Sequence, residues 1–125
     1  MSVDPTADDI RTFIAEDDGK PITMLNLLAF DGEEGRKTYT EYALRTSPHL
    51  ARVGGEVLYF GETQTALVED DGKEWDAVML VRYPDRAAFL AMVGDPEYQQ
   101  ISKLRTAALA DAVLQPTKTW GSGTG

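Results

Sequence analysis

The chain is predicted to fold as an α+β domain, a four-stranded antiparallel sheet with helices packed on one side. Three observations predict this. Two apolar runs, Ile22–Phe30 and Trp75–Tyr83, read as core strands. The second stops at Pro84, and Asp85 is placed to cap a helix that starts at once. The remaining segments complete the order strand, helix, strand, strand, helix, strand, with one short helix in front.

Taken in order, Thr6 caps a helix over 7–15, whose first turn carries Asp8 and Asp9 at the positive end of the helix dipole. Ile10, Phe13 and Ile14 form its expected buried stripe. Asp17-Asp18-Gly19-Lys20-Pro21 breaks the chain before the first strand, and Asp31-Gly32-Glu33-Glu34-Gly35 follows it as a solvated loop. That loop lacks the alternating ligand spacing of a calcium site, so no metal is assigned to it. From Arg36 to Arg52 the pattern is helical, with Tyr39, Tyr42, Ala43, Thr46 and Leu50 on one face. Pro48 lies inside this stretch and is expected to kink the helix or restart it near Ser47. Gly54-Gly55 ends the helix, and 56–65 reads as a strand with Val57, Tyr59 and Gly61 on one face and Leu58 and Phe60 on the other. Asp70-Asp71-Gly72-Lys73 turns the chain into the next strand, 75–83. The helix after Asp85 carries Phe89 and Met92, Gly94-Asp95-Pro96 interrupts it, and a further helix spans 97–110. The last strand, 112–120, contains Pro116, which argues for a sheet edge. This order is the ferredoxin-like βαββαβ plan. A sheet covered on one side leaves an apolar face, and a homodimer joined through its sheet faces would cover it.

Composition bounds the function. At 125 residues the chain suits one domain, 1–125, with its core over about 22–120 and a small-residue tail, 121–125, expected to be flexible. The formal charge of -9 disfavours nucleic acid and anionic membrane surfaces as partners. No cysteine is present, so thiolate chemistry and sulfur-ligated metals are absent, and a reducing, cytoplasmic location is expected. No run approaches the roughly 20 apolar residues of a membrane span. No phosphate loop, dinucleotide fingerprint or hydrolase triad order is found.

Polar residues at core-strand positions are the first candidates for chemistry. Asn26 sits in the middle of an apolar strand, where its amide can orient a carbonyl, stabilise an enolate, or simply bond a neighbouring backbone group. Arg82 on the third strand can bind a carboxylate or oxyanion, or serve a salt bridge in a dimer or to Asp85. His49, the single histidine, is a candidate general base or a surface residue after a proline. Tyr42, Tyr59, Trp75, Tyr83 and Tyr98 can wall a planar substrate or pack as core. Arg105 can fix an anionic group or pair with an acidic loop.

The chain resembles the bacterial family named domain of unknown function 1330, within the dimeric α/β-barrel superfamily. The resemblance is carried by Met24-Leu25-Asn26-Leu27-Leu28, Tyr39 with Tyr42, and Pro48 followed by Gly54-Gly55-Glu56-Val57-Leu58. Trp75-Asp76, Arg82-Tyr83-Pro84, Asp95-Pro96-Glu97-Tyr98 and Arg105 complete it. It implies two ferredoxin-like subunits packed sheet to sheet. Superfamily relatives include cofactor-free monooxygenases, isomerases, cyclases and haem enzymes, so the fold does not choose a reaction. The expectation is a dimeric protein that binds an apolar or aromatic, oxygen-bearing small molecule, as a cofactor-free oxygenase, isomerase or cyclase with Asn26, His49 and Arg82 as its reactive groups. The alternative is a non-catalytic ligand-binding or stress-associated dimer.

Overall fold

A computed structural model describes residues 3–120 of the chain; the predicted flexible tail lies outside the described residues. In chain order the elements are α1 (Ala7–Ala15), β1 (Ile22–Phe30), α2 (Gly32–Arg52), β2 (Glu56–Glu62), β3 (Ala77–Tyr83), α3 (Arg86–Val93), α4 (Pro96–Ala108) and β4 (Leu109–Thr117). The strands form one antiparallel sheet in the order β2-β3-β1-β4, the ferredoxin-like arrangement. No helix among the described residues is long and apolar enough to cross a membrane.

Burial alternates along the central strands as the pleat requires. Ile22, Met24, Asn26 and Leu28 of β1, with Ala77, Val81 and Tyr83 of β3, are buried under the helices. Leu25, Leu27, Val78 and Leu80 occupy the opposite face and stay half-buried, so one apolar face of the sheet has no cover among the described residues.

Three predicted details change. The acidic segment after β1 belongs to α2, where Glu33 and Glu34 lie in the first turn and meet the positive end of the helix dipole. Helix α2 also runs through Pro48 without restarting. Pro48 and Leu44, one turn earlier, are both exposed, so the carbonyl freed by the missing donor lies on the solvent side. In β2, register slips between Val57 and Tyr59. Leu58 is the extra residue of a bulge, which puts Val57 and Phe60 on the helix side and Tyr59 on the open face. The β2 and β3 ends are also shorter than predicted, leaving Trp75 and Asp76 before β3. Asp76 instead accepts a hydrogen bond from the Phe30 N–H at 2.8 Å and terminates β1.

Caps fix most helix starts. Thr6 and Asp9 form a reciprocal capping box on α1. Asp85 accepts from Ala88 N on α3, and Asp95 accepts from the Glu97 and Tyr98 N–H groups on α4. Of the α1 stripe only Phe13 is buried, against Phe89 with ring centroids 5.2 Å apart, while Ile14 is exposed. Gly54 closes α2 at φ +81°, a conformation glycine adopts without strain. Pro116 lies on edge strand β4, where its missing donor removes no central ladder bond.

Helices α2 and α4 touch most closely where Gly35 meets the end of α4. A Cβ on Gly35 would stand 2.5 Å from the Ala108 carbonyl oxygen, a backbone atom that cannot swing away. Gly35→Ala is expected to lower unfolding free energy by about 1–3 kcal/mol. Urea denaturation checks this, and a loss below about 0.5 kcal/mol would show the contact to be compliant.

Candidate functional site

Packing of α2 and α4 over the sheet encloses a cavity of about 450 Å³, within the range of small-molecule sites. Its floor is Met24 and Asn26 of β1, Val57 of β2, Met79, Val81 and Tyr83 of β3, and Leu114 of β4. Its roof is the α2 face bearing Tyr39, Tyr42 and Thr46, together with Tyr98 and Arg105 of α4. The wall is therefore largely apolar and aromatic, with a few polar atoms set into it.

Those polar atoms are short of partners. The Thr46 hydroxyl and the Arg105 Nη2 are buried and make no hydrogen bond among the described residues. Arg105 Nη1 is occupied, donating to the Val3 carbonyl at 2.6 Å and to Asp4 Oδ1 at 3.2 Å. Asn26 donates from Nδ2 to the Met24 carbonyl at 3.3 Å, which leaves its amide oxygen without a donor among the described residues. The Tyr42 and Tyr98 hydroxyls are 2.7 Å apart. Such a pair has two protons and uses one between its members, so one O–H remains for a third group.

Burial pushes the Tyr98 phenol far above its ordinary range, and the neighbouring Tyr42 adds to this. Burial likewise raises Tyr39 and Tyr83. All three remain neutral donors at physiological pH. The charge of Arg105, which lines the same cavity, opposes the rise at both Tyr39 and Tyr98.

The structure brings Asn26, Tyr42, Tyr83, Tyr98 and Arg105 together around this cavity. It places the other four sequence candidates elsewhere. His49 is only 3% exposed, and its Nε2 lies 2.8 Å from Glu97 Oε2 and its Nδ1 2.7 Å from an Arg52 nitrogen. Arg52 donates to Nδ1, so Nε2 carries the proton and donates to Glu97. Arg52 also reaches Asp95 at 3.2 Å, making the whole group a latch between α2 and the start of α4. Arg82 lies on the open sheet face between Thr23 and Glu56 and makes no hydrogen bond or ion pair among the described residues. Tyr59 is on that face too, over Gly61, and is 54% exposed. Trp75 sits in the β2–β3 connection under Lys73, whose nitrogen is 5.5 Å from the ring centroid.

Sequence reasoning missed Tyr39 and Thr46 as site residues, whereas Tyr83, one of the proposed aromatic wall, lines the cavity floor. Tyr39 and Thr46 lie on the same helical face as Tyr42, so the spacing already grouped them. Nothing local distinguished a threonine lining a cavity from one packed in the core.

A ferredoxin-like α+β domain with an aromatic cavity between its sheet and helices is the class that this fold and site define. The family model described as Domain of unknown function (DUF1330) matches residues 34–115, and the chain belongs to that family. It is similar to the crystal structure of a protein of unknown function from Rhodopseudomonas palustris, with 32% identity and a TM-score of 0.88 over 96% of this chain and 98% of that one. It also resembles a cofactor-independent oxygenase from Streptomyces nogalater, with 15% identity and a TM-score of 0.58 over 85% of this chain and 99% of the other. A dimeric ferredoxin-like protein of unknown function from Jannaschia sp. matches with 16% identity and a TM-score of 0.61 over 79% of this chain and 99% of that chain. The last two likenesses show the fold alone. No curated protein matches the chain.

The buried phenols carry a pH consequence. An unfolded tyrosine ionises near 10.0, whereas Tyr39, Tyr83 and Tyr98 hold their protons to higher pH in the native state. Their contribution to stability is complete below pH 10.0 and is lost as pH rises above it, because the unfolded chain then releases protons that the native chain retains. Phenolate absorbance followed beside circular dichroism is expected to show these tyrosines ionising together with unfolding; all of them titrating in a folded chain would overturn this.

Proposed function

We propose that the protein binds a small, mainly apolar or aromatic molecule in this cavity and polarises an oxygen atom on it. The observation that carries the reading is that two residues lining the cavity, Thr46 and Arg105, each keep a buried donor, Oγ1 and Nη2, without a partner among the described residues. A buried donor left unpaired costs about 1–3 kcal/mol, and more when charged. A ligand oxygen accepting from both would recover that cost. Asn26 and the spare O–H of the Tyr42–Tyr98 pair are further contacts in this reading, and the roles first assigned to Arg82 and His49 pass to Arg105 and Thr46.

Donors grouped around a carbonyl also stabilise the negative charge that develops on it when an enolate forms. Oxygenation, isomerisation and cyclisation can all start from such a species, and these are the reaction types the reading favours. The fold shared with a cofactor-independent oxygenase supports it only by analogy. A second reading, a binding protein without turnover, is favoured by His49 being locked between Arg52 and Glu97, outside the residues that line the cavity. Reproducible product formation from a bound carbonyl compound would end that reading.

Acetophenone serves as a simple probe of the site. Thr46→Val keeps the side-chain shape and removes the hydroxyl, so it is expected to weaken acetophenone binding about tenfold without loss of thermal stability. Equal affinity in the wild type and the variant would remove Thr46 from the site, and absence of binding to the wild type would sink the reading itself.

We also propose that the open sheet face joins two copies of the chain. Leu25, Leu27, Val78 and Leu80 line it, and a two-fold contact would let this apolar surface cover itself. A related fold from Jannaschia sp. is described as dimeric. Leu80→Lys is expected to convert a dimer into a folded monomer in analytical ultracentrifugation; a wild-type monomer would refute the interface.

A further inference from the structure

A second cavity of about 380 Å³ lies between α1 and the helix-side face of β4. Thr12, Phe13 and Glu16 contribute from α1, and Ala112 and Pro116 from β4. Six residues border both cavities: Asp4, Pro5, Ile10, Met24, Phe89 and Leu114. The two spaces therefore abut along a line whose inner members, Met24, Phe89 and Leu114, are apolar. Met24 is unbranched and adapts its shape readily.

The segment that roofs this line is fastened on both sides. Arg105 holds the Val3 carbonyl ahead of α1. Arg86 donates to the Phe13 carbonyl at 3.0 Å near the other end, with its guanidinium carbon 4.6 Å from the Phe13 ring centroid. Between these points α1 crosses the sheet as a strap, and Phe13 is its only buried residue.

We propose that the two cavities together take one elongated ligand, with a neutral carbonyl head in the first and an apolar tail running under α1 into the second. This rests on the binding role proposed above for the first cavity. The head is assigned from charge. Arg105 already has a carboxylate partner in Asp4 at 3.2 Å, so a ligand carboxylate placed at Arg105 would set a second negative charge beside Asp4. A carbonyl oxygen takes the free Arg105 Nη2 and Thr46 donors without that excess. The tail is assigned from the walls. Past Met24 and Phe89 the second cavity offers Phe13, Ala112 and Pro116, while Asp9 and Glu16 stand at its rim and disfavour a second anionic end. The ligand class is thus a single-headed, long-chain ketone, aldehyde or quinone-like carbonyl compound.

Straight-chain methyl ketones of about five to fourteen carbons, titrated calorimetrically into the full-length protein, test this. Affinity is expected to rise about fourfold per added methylene across the series. Two plugs of the second cavity, Ala112→Leu on β4 and Thr12→Trp on the outside of α1, are expected to abolish the gain for the longest ketones and leave the shortest unchanged. Thr12 is exposed, so its variant keeps the test open if the strand variant folds poorly. Short ketones that bind while longer ones gain nothing, or a gain that survives both plugs, would overturn the shared channel alone. Failure of every ketone to bind the wild type would overturn the first cavity's proposed role with it.

Discussion

Helices α2 and α4 are fixed to one another at both ends of their contact, and the space beneath them depends on those two fastenings. At one end Gly35 lets the α2 backbone approach the Ala108 carbonyl, and Asp31 N donates to that same oxygen at 2.8 Å. At the other, His49, Arg52, Asp95 and Glu97 form a chain of polar contacts. Between them, among the described residues, the direct link between polar side chains of the two helices is the hydroxyl contact of Tyr42 and Tyr98. Backbone contact sets one spacing and charged side chains set the other, so the helices keep a fixed height over the sheet. A side chain that filled the first contact or broke the second would change the depth of the cavity before it touched any residue lining it.

The buried polar groups then divide by what satisfies them. His49 has both ring nitrogens engaged by residues of its own chain. Arg86 donates one nitrogen to the Phe13 carbonyl and lays its plane against the Phe13 ring, a use that serves packing, while its Nε is buried with no partner among the described residues. Thr46 and Arg105 differ in that both residues line a space large enough for a ligand. Burial alone does not mark a site; burial with a missing partner beside a cavity does.

Much of the architecture was legible because it rests on local chemistry. Thr6 and Asp85 announced helix starts, Pro116 announced an edge or a bulge, and the apolar runs around Met24 and Val81 announced the central strands. The bulge at Leu58 was not legible, since alternation in Val57–Phe60 reads equally well in either register and only pairing with β3 decides it. The site was half legible. Asn26 and Arg105 stood out as polar residues at positions expected to be core or to pack against it. Arg82 stood out for the same reason, but its strand has a second apolar face that is not internal, and the sequence does not say which side a strand turns inward. The burial of His49 was not legible, because its partners, Arg52 and Glu97, come from its own helix end and from a distant helix, and only folding places it between them.

The Tyr42–Tyr98 pair has two equivalent arrangements. Either phenol can donate to the other, and the heavy atoms stand in the same places in both. Reversing the bond moves the spare proton from one ring oxygen to the other, across 2.7 Å, by rotation of two hydroxyls alone. The cavity thus offers a donor at two positions without choosing between them in advance. A guest whose oxygen lies nearer α2 and one whose oxygen lies nearer α4 would meet the same rigid walls and an equally good hydrogen bond, so tolerance of position is built into an interior that does not have to move.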